Sequence, residues 1–526
     1  MSGPADIAAV EALLERAHGL YADDPAALAI IGGYRDRLTE PLRVAIGGMV
    51  KAGKSTLLNA MLGDEIAPTD AGECTTIVTW YRYAHTPRIW MHRRDGSVGA
   101  LPVHRVGGRL DIRLGGEDPD EVERIVVDWP ASSLRDVTII DTPGIASLST
   151  EVSARTASFL VPERTASEAD ALIYLVRALH GADMDFLRAY HRAADAAAGT
   201  VSAIAVLSRA DEIGAGRLDS LLSARGVAER YRSENSFEGM TLAVLPIAGL
   251  LAQTARTLRQ SEFDALASLA ALGRSAREKL LVSVDRFATA EIPGIPPEQR
   301  AALLDRFGLF GLRLASVLLK DGEADSTTLA HELARRSGLH ELVRSRDDML
   351  TSRAAALKTR SAIAGLRLLM ADRPREGAHA LAAEIERVEA GAHPLRELAI
   401  LAEARTTGLP LPQRYRGEAE RVLGGQGTSP RQRLGLPEAA PEATAKERAA
   451  LLLERWQRLR ASPLISRPAA RVCDAVIRSC EAVTVDLGTG YPAWRPPARR
   501  PASAPRNQAA ADGSRAAMTP DTASAN

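Results

Sequence analysis

A glycine-rich loop between an apolar run and a helical pattern constrains this chain more than any other feature. The apolar run 42–46 leads into the loop 48–55, which reads G-x-x-x-x-G-K-S, and a helical pattern follows at once. That setting is what a phosphate-binding loop requires, whereas a chance match on a glycine-rich turn is disfavoured because lysine is rare here. The predicted nucleotide-binding residues of the loop are Gly48, Met49, Val50, Lys51, Ala52, Gly53, Lys54, Ser55 and Thr56.

Each part of this loop has a physical role. Glycines let the backbone wrap around a phosphate without Cβ clashes. The loop N–H groups and the start of the following helix supply partial positive charge. Lys54 is expected to reach the β- and γ-phosphates, and the Ser55 hydroxyl to bind Mg²⁺.

A second motif follows the apolar run 137–140, which ends in the segment 141–144, Asp-Thr-Pro-Gly. An Asp at the end of a buried strand with Gly three residues later matches the D-x-x-G switch of GTPases. Asp141 would hold Mg²⁺ through water, and the Gly144 amide would sense the γ-phosphate. The alternative is an ordinary strand-to-turn transition, for which Asp, Pro and Gly are common. Its position downstream of the phosphate loop favours the switch.

A third motif, Ser-Arg-Ala-Asp at 208–211, follows the apolar run 201–207 and is the candidate for binding the nucleotide base. The usual guanine reader is N/T-K-x-D, in which the carboxylate accepts hydrogen bonds from guanine N1 and N2, donors that adenine lacks. Asp211 keeps that carboxylate, and Arg209 can replace lysine as the stem that stacks on the base. Ser208 is shorter than Asn, which leaves one loop-bracing hydrogen bond open. The alternative is a helix N-cap without base contact.

Two further segments complete the predicted site. The run 242–247 precedes Ala248 and Gly249, whose backbone donors suit the edge of the base. Thr76, preferred over its neighbour Thr75, is the switch threonine expected to complete Mg²⁺ coordination, although both also suit β-formers entering a strand. The predicted catalytic residues are Lys54, Ser55, Thr76 and Lys51, and the predicted metal-binding residues are Ser55, Thr76 and, through water, Asp141.

Composition excludes several other classes of protein. Hydrophobic residues make up 46% and charged residues 25%, which excludes wholesale disorder. Lys+Arg and Asp+Glu are both 66, so the zero net charge argues against a nucleic-acid partner. Cys74, Cys473 and Cys480 form neither a disulfide framework nor a zinc spacing. No secretory signal and no long apolar stretch are visible, so any membrane contact is expected to be peripheral.

The chain divides by pattern into an α/β part and helical parts. The predicted fold is an α/β P-loop GTPase domain, with a mostly parallel sheet and an antiparallel insertion, joined to an extended all-α bundle. We expect one nearly uninterrupted helical pattern over 329–370 and a loop or small subdomain over 407–443. The predicted strands are 42–46, 77–83, 88–92, 124–129, 137–140, 171–176, 201–207 and 242–247. The predicted units are 1–40 (helices that join the bundle), 41–322 (GTPase domain), 323–490 (helical neck and trunk) and 491–526 (disordered tail rich in Pro, Ala and Arg).

With these motifs in place, the chain resembles the bacterial dynamin-like proteins, and is most similar to their actinobacterial isoniazid-inducible group. The resemblance is carried by residues 48–63, 72–76, 141–144, 206–214 and 306–319. It implies a large GTPase that binds GTP or GDP with Mg²⁺ and remodels or stabilises a membrane. It also implies self-association through GTPase domains or pairing with a second dynamin-like protein, and peripheral binding to anionic lipid on the cytoplasmic face of the cell membrane. The rival reading is a regulatory switch that binds a protein partner without remodelling a membrane.

Two departures from the family pattern stand out, one in the phosphate loop and one at Ser208-Arg209 of the base-reading motif described above. Val50 and Lys51 stand where eukaryotic dynamins carry Gln-Ser, and Lys51 could place its ammonium where a monovalent cation would sit; the alternative is an exposed lysine.

A membrane-contacting tip is predicted at 407–436, the alternative being a solvated interhelical loop. The side chains proposed for the tip are Leu409, Leu411, Tyr415 and Leu434 in the lipid and Arg414, Arg416, Arg431 and Arg433 at the headgroups.

Overall fold

The computed structural model describes residues 4–68, 76–144, 159–161, 167–195, 202–214, 216–234, 236–237, 240–322, 325–391, 393–406 and 408–489. The strands are β1 Leu42–Gly48, β2 Val78–Tyr83, β3 Arg88–Arg93, β4 Val98–Leu101, β5 His104–Val106, β6 Arg109–Asp111, β7 Val122–Trp129, β8 Val137–Asp141, β9 Ala171–Val176, β10 Ala203–Ser208 and β11 Val244–Ile247. The predictions at Thr75, at Cys74 and for the tail 491–526 lie outside the described residues.

The helices lie at both ends of the chain and between the strands. They are α1 Pro4–Leu20, α2 Pro25–Thr39, α3 Lys54–Leu62, α4 Gly181–Asp195, α5 Ser220–Ser233, α6 Gly249–Arg256, α7 Gln260–Ala271, α8 Arg274–Leu280, α9 Val284–Thr289, α10 Pro297–Asp321, α11 Ser326–Arg336, α12 Leu339–Met349, α13 Ala354–Asp372, α14 Ala378–Gly391, α15 His393–Thr406, α16 Gln413–Val422, α17 Pro430–Leu434, α18 Glu442–Arg460 and α19 Arg467–Thr489.

Within the described residues, nine strands form one sheet in the order β11-β10-β9-β1-β8-β2-β7-β3-β4. The centre, from β11 to β8, is parallel, and β9 and β10 are buried along their whole length, as the inner strands of a parallel sheet must be. Beyond β8 the sheet is mixed: β2 pairs antiparallel with β8 and parallel with β7, and β3 pairs antiparallel with β7 and β4. The predicted mostly parallel sheet with an antiparallel insertion is confirmed.

Both faces of the sheet are covered by helices. Side chains of β1 alternate between two buried clusters: Val44 and Ile46 face a core shared with α1, α2 and α13, while Ala45 faces a core shared with α4 and α5. This alternation follows from the two-residue period of a strand. The crossover connections of a parallel sheet place helices on both faces, so the carboxyl ends of the parallel strands remain open for a ligand.

The predicted long helix over 329–370 is wrong in one respect, because the chain breaks it at Gly338. Gly338 has φ +87°, and a Cβ there would lie 2.5 Å from the carbonyl oxygen of Pro246. Only glycine fits a left-handed backbone pressed against a strand end in this way. Gly338 separates α11 from α12, and a second break after Met349, with a 3₁₀ turn at Thr351–Arg353, separates α12 from α13.

The membrane tip predicted at 407–436 is also wrong for its three leucines and for Arg433. Leu409, Leu411 and Leu434 are buried in a hydrophobic core with α18 and α19. Arg433 is buried with them and pairs with Glu397, its Nη2 donating to Oε2 at 2.9 Å. Short helices α16 and α17 fold this segment into a small packed unit, so the apolar side chains that were expected to enter lipid are already covered by protein.

The N-terminal helices and α13 are tied to the sheet by a buried polar network at the amino ends of its strands. Asp170, which precedes β9, accepts hydrogen bonds from the Arg37 Nε at 2.9 Å and from the Ser361 hydroxyl at 3.1 Å. The Arg360 guanidinium reaches the Ser202 hydroxyl, and Lys358 Nζ donates to two carbonyl oxygens at the end of α2. Buried charges of this kind require their partners, so the network fixes α2 and α13 against the sheet.

None of the helices in the described part of the chain is long and apolar enough to cross a membrane.

Candidate functional site

The phosphate loop leaves β1 along a path that only a few residue types can follow. Gly48 and Gly53 have φ of +147° and +94°, and a Cβ on Gly48 would lie 2.6 Å from the Leu175 carbonyl oxygen. Lys51 also has a positive φ, +62°, which is uncommon for a residue with a side chain. The loop therefore turns tightly over β9 and delivers the N-terminus of α3 to the open edge of the sheet.

Lys54, the first residue of α3, lies folded over this loop. Its Nζ donates to the carbonyl oxygens of Gly48 at 3.2 Å and Met49 at 3.4 Å. Burial lowers the pKa of Lys54, and the nearby Asp141 carboxylate opposes that shift. The Lys54 ammonium now donates to two neutral carbonyl oxygens. A hydrogen bond to a negatively charged phosphate would be stronger than either of these, so the ammonium would favour a bound phosphate.

Asp141 ends β8 directly beside the start of α3. The Ser55 hydroxyl donates to Asp141 Oδ2 at 3.5 Å, while Asp141 Oδ1 is buried and has no hydrogen-bond partner among the described residues. Burial raises the pKa of Asp141 to about 6, although the Lys54 charge lowers it. An orphaned carboxylate oxygen next to a hydroxyl at the end of a phosphate loop fits Mg²⁺, which prefers oxygen ligands and neutralises the developing charge on transferred phosphates.

The predicted threonine switch lies on the same side of the sheet. Thr76 precedes β2 by two residues, and Thr79 of that strand pairs with Asp141 in the antiparallel ladder. Because β2 starts where β8 ends, the chain brings Thr76 to the edge that carries Ser55 and Asp141.

The segment 141–144 is fixed against the phosphate loop at two points. The Thr142 hydroxyl donates to the Ile46 carbonyl oxygen of β1 at 2.8 Å. A Cβ on Gly144 would lie 2.6 Å from Val50 Cγ2 and 2.9 Å from Val50 Cα. Gly144 is thus packed on the backbone of the phosphate loop, where a side chain would displace one segment or the other.

The predicted base-reading residues meet at the end of β10. Ser208 donates its hydroxyl hydrogen to the Val176 carbonyl oxygen of β9 at 3.2 Å, so a shorter residue than Asn still braces this loop. Arg209 has φ +52°, and its guanidinium donates to the Lys51 carbonyl oxygen at 3.4 Å and to Glu212 at 2.6 Å. Burial raises the pKa of Asp211, whose carboxylate forms no ion pair among the described residues.

The loop after β11 joins this group through the backbone. The Ala210 N–H donates to the Ile247 carbonyl oxygen at 3.1 Å. Gly249 starts α6, and a Cβ on it would lie 3.7 Å from Thr56 Cγ2 of α3. The structure therefore brings the phosphate loop, the segment 141–144 and both predicted base loops to one edge of the sheet.

Glu212 is a member of this group that the sequence reasoning missed. It pairs with Arg209 and, at 3.2 Å, with Arg177 at the end of β9. Its three-residue spacing from Arg209 was the available signal, but that spacing is common on exposed turns. Glu212 orients the arginine that spans from the base loop to Lys51.

Comparisons with known proteins agree on one family. A model of the dynamin family matches residues 44–206. The chain is 42% identical over 453 residues to the isoniazid-induced protein IniC of Mycobacterium tuberculosis, covering 86% of this chain and 91% of that protein. A bacterial dynamin-like protein of Nostoc punctiforme is 29% identical over 119 residues, 20% of this chain and 16% of that one.

A solved structure of an oligomerised bacterial dynamin pair, described as providing a mechanism for the long-range sensing and tethering of membranes, also resembles the chain. It is 13% identical, with 92% of this chain and 74% of that one covered, and the TM-score is 0.28. We draw nothing from a likeness of that level.

Proposed function

The chain belongs to the dynamin family, among the bacterial dynamin-like proteins represented by IniC, and from that premise we propose that it binds GTP with Mg²⁺, hydrolyses it and couples self-association to work on a membrane. The members of this family are GTPases. Lys54 would bind the β- and γ-phosphates, and Ser55, Thr76 and, through water, Asp141 would hold the metal. Asp211 would read guanine, Arg209 would stack on it, and Ala248 and Gly249 would offer backbone donors at its edge.

The observation that carries this proposal is the convergence of separate motifs at one edge of the sheet. Lys54, Ser55 and Asp141 lie in mutual contact or charge interaction, and Arg209 reaches the Lys51 carbonyl oxygen from the base side. The phosphate loop therefore lies between Asp141 on one side and the Asp211 loop on the other. A nucleotide bound along the phosphate loop would have its phosphates near Asp141 and its base near Asp211. At each end lies a carboxylate that forms no ion pair among the described residues, Asp141 for the metal and Asp211 for the base.

The test is GTP turnover measured against protein concentration, with and without anionic liposomes, with Lys54→Ala as the blank. We expect turnover per molecule to rise with protein concentration or with lipid, because family members are expected to be stimulated when GTPase domains pair. Turnover that is present but flat in every condition favours the switch that binds a protein partner, and no turnover above the blank refutes the GTPase.

The turn between α18 and α19 is the membrane-contacting surface that we propose in place of the segment 407–436. Leu464 in that turn is 93% exposed, and Arg467 and Arg471 are exposed and form no ion pair among the described residues. An exposed leucine followed by two arginines without ion pairs among the described residues suits shallow insertion into an anionic lipid surface. Embedding the leucine is worth ~2 kcal/mol, and each arginine near the surface adds ~1 kcal/mol.

Cosedimentation with anionic liposomes tests this surface. The variants Leu464→Asp and Arg467→Glu/Arg471→Glu are each expected to lose most of the bound fraction while hydrolysing GTP at the basal rate. Leu451→Asp is the matched control, because Leu451 is 53% exposed on α18 but lies away from the turn. Equal losses in the control and in Leu464→Asp would remove the turn from the proposal.

The same proposal places the protein in the cytoplasm, in peripheral contact with the inner face of the cell membrane. Its partners are a second copy or a second dynamin-like chain, and anionic lipid, with no nucleic acid. Lys51, whose side chain is exposed, is proposed to act at the phosphates in place of a monovalent cation. The unit boundaries 1–40, 41–322 and 323–490 are part of the same proposal.

A further inference from the structure

Arg313 of α10 is a half-buried arginine with no acidic partner among the described residues. Its Nη1 donates to the Gly216 carbonyl oxygen at 2.6 Å. Its Nε and Nη2 donate to the Leu281 carbonyl oxygen at 2.9 and 2.6 Å, and Nη2 also reaches the Val282 carbonyl oxygen at 3.2 Å. Burial lowers the pKa of Arg313, yet the guanidinium remains charged because arginine titrates far above neutral pH. Because the guanidinium donates to backbone carbonyl oxygens, we interpret Arg313 as a residue that fixes the positions of backbone segments.

The backbone that it fixes belongs to the loop of the base-reading carboxylate. Gly216 lies five residues after Asp211 and has φ +66°. A Cβ on Gly216 would lie 3.7 Å from the Asp211 carbonyl oxygen and 3.8 Å from Arg313 Nη1. A side chain at Gly216 would therefore touch both the Asp211 backbone and the guanidinium, so the position of Gly216, which Arg313 holds, limits where the Asp211 backbone can lie.

The other end of the guanidinium is anchored in the helical segment. Leu281 is the residue directly after α8 and is buried in the core formed by α6, α7 and α10. The rigid fork of arginine can hold two backbone segments at a set distance, which a lysine with one ammonium cannot. Arg313 thus connects the loop after Asp211 to a packed core outside the sheet.

The second base loop is held from the same side. The Ala248 N–H donates to the Ser337 carbonyl oxygen at 3.0 Å, just before the close approach of Gly338 to Pro246. Both loops on the base side of the site are therefore supported by residues that come later in the chain, on α10 and on the turn between α11 and α12.

We propose that Arg313 is a positioning residue for base recognition, which holds the Asp211 loop so that the carboxylate meets both N1 and N2 of guanine. This inference rests on the proposed guanine reading by Asp211. It concerns the specificity of the site, because Arg313 lies on the base side and makes no hydrogen bond to Lys54, Ser55 or Asp141. A displaced Asp211 loses hydrogen bonds to the base, while the phosphate and metal groups stay in place.

The experiment compares dissociation constants for GDP, IDP and ADP in the wild-type chain and in Arg313→Gln. IDP carries hypoxanthine, which lacks the exocyclic N2 amine of guanine. We expect the wild type to prefer GDP over both, and Arg313→Gln to lose most of its preference for GDP over IDP, with a KM for GTP raised about tenfold, as for one misplaced charged hydrogen bond. Its kcat at saturating GTP is expected to stay near the wild-type value.

Arg300→Gln is the matched control. Arg300 lies on the other side of the Gly308 kink in α10, is more deeply buried than Arg313, and likewise donates to backbone carbonyls, those of Ala288 and Ile295. It should lower the thermal midpoint without changing the ratio of GDP to IDP affinity. If Arg313→Gln does not fold, Gly216→Ala perturbs the same contact from the loop side, because alanine is strained at φ +66°.

The outcomes separate the inference from the function beneath it. A wild-type chain that binds ADP as well as GDP refutes guanine reading, and the role of Arg313 falls with it. A wild type that discriminates, together with Arg313→Gln or Gly216→Ala variants that discriminate equally well, refutes the positioning role alone. An altered ratio in Arg300→Gln of the same size would also refute it, since any loss of stability would then have that effect.

Discussion

Replacing Asp141 by Asn is expected to stabilise the nucleotide-free protein while abolishing magnesium-dependent GTP hydrolysis. Asp141 carries a negative charge in a site where Oδ1 has no hydrogen-bond partner among the described residues. In the proposed function this carboxylate helps to hold Mg²⁺, which explains why an unfavourable buried charge is present at the site. Asn has nearly the same shape and no charge, so it removes the desolvation cost together with the metal contact.

The magnitude follows from the pKa of this carboxyl, which burial raises from 3.8 to about 6. A rise of about 2 units corresponds to ~3 kcal/mol of unfavourable free energy in the charged folded state, at ~1.4 kcal/mol per unit. The folded state holds the proton more tightly than the unfolded state, so stability falls as the pH rises from about 4 to about 6. The cost is complete above that window and absent below it.

Thermal unfolding of the nucleotide-free protein at pH 7.5 and at pH 4 measures this term. With an unfolding entropy of ~2 cal/mol/K per residue, the unit of residues 1–489 has ~1 kcal/mol/K, so the Asn variant should melt ~3 °C higher at pH 7.5. The difference should vanish at pH 4, where Asp141 is protonated. Asp136→Asn is the control, since Asp136 is exposed just before β8 and should change little. A midpoint at pH 7.5 that is equal to or below that of the wild type, or a pH-independent difference, refutes the reasoning.

Three other substitutions give separate outcomes. Lys51→Ala should make GTP hydrolysis depend on K⁺, and kinetics that are unchanged in Na⁺ and in K⁺ would show that the exposed ammonium does not replace a cation. Gly144→Ala should slow turnover at least ~10-fold with GDP affinity retained, because its Cβ would press on the backbone of Val50; single-turnover rates and GDP titration measure the two effects, and normal turnover would contradict the contact. Arg433→Met should lower the free energy of unfolding by ~3–5 kcal/mol, because it leaves the Glu397 carboxylate buried without its main partner; denaturant titration that shows less than ~1 kcal/mol would mean that the core around Glu397 admits water.

The sheet could be predicted closely because its signals are local. The apolar runs that were read as strands coincide with β1, β2, β3, β7, β8, β9, β10 and β11, and the phosphate loop fixes the order of strand, loop and helix. The strands β4, β5 and β6 were missed because β4 and β5 are largely exposed and all three are too short, at three or four residues, to show an apolar alternation. The meeting of the predicted motifs at one edge could be anticipated because each motif follows a buried strand, and parallel strands end at one edge.

The remaining features depend on contacts that lie far apart in the chain. Gly338 reads as a tolerable glycine within a helical pattern, and only the approach of Pro246 shows that it must end a helix. Leu409 and Leu411 lie in a stretch whose composition suggests a solvated loop, yet they are covered by α18 and α19. Arg313 cannot be told from the many other arginines, since the carbonyls that it holds lie ~30 and ~100 residues away in sequence.

The buried network around Asp170 limits where this molecule can bend. Arg37, Ser361 and the Arg43 N–H all converge on that one carboxylate at the closed edge of the sheet, opposite the nucleotide edge. A hinge at that junction would uncover a carboxylate and a guanidinium together, at a cost of several kcal/mol. The sheet, α2 and α13 should therefore move as one rigid body.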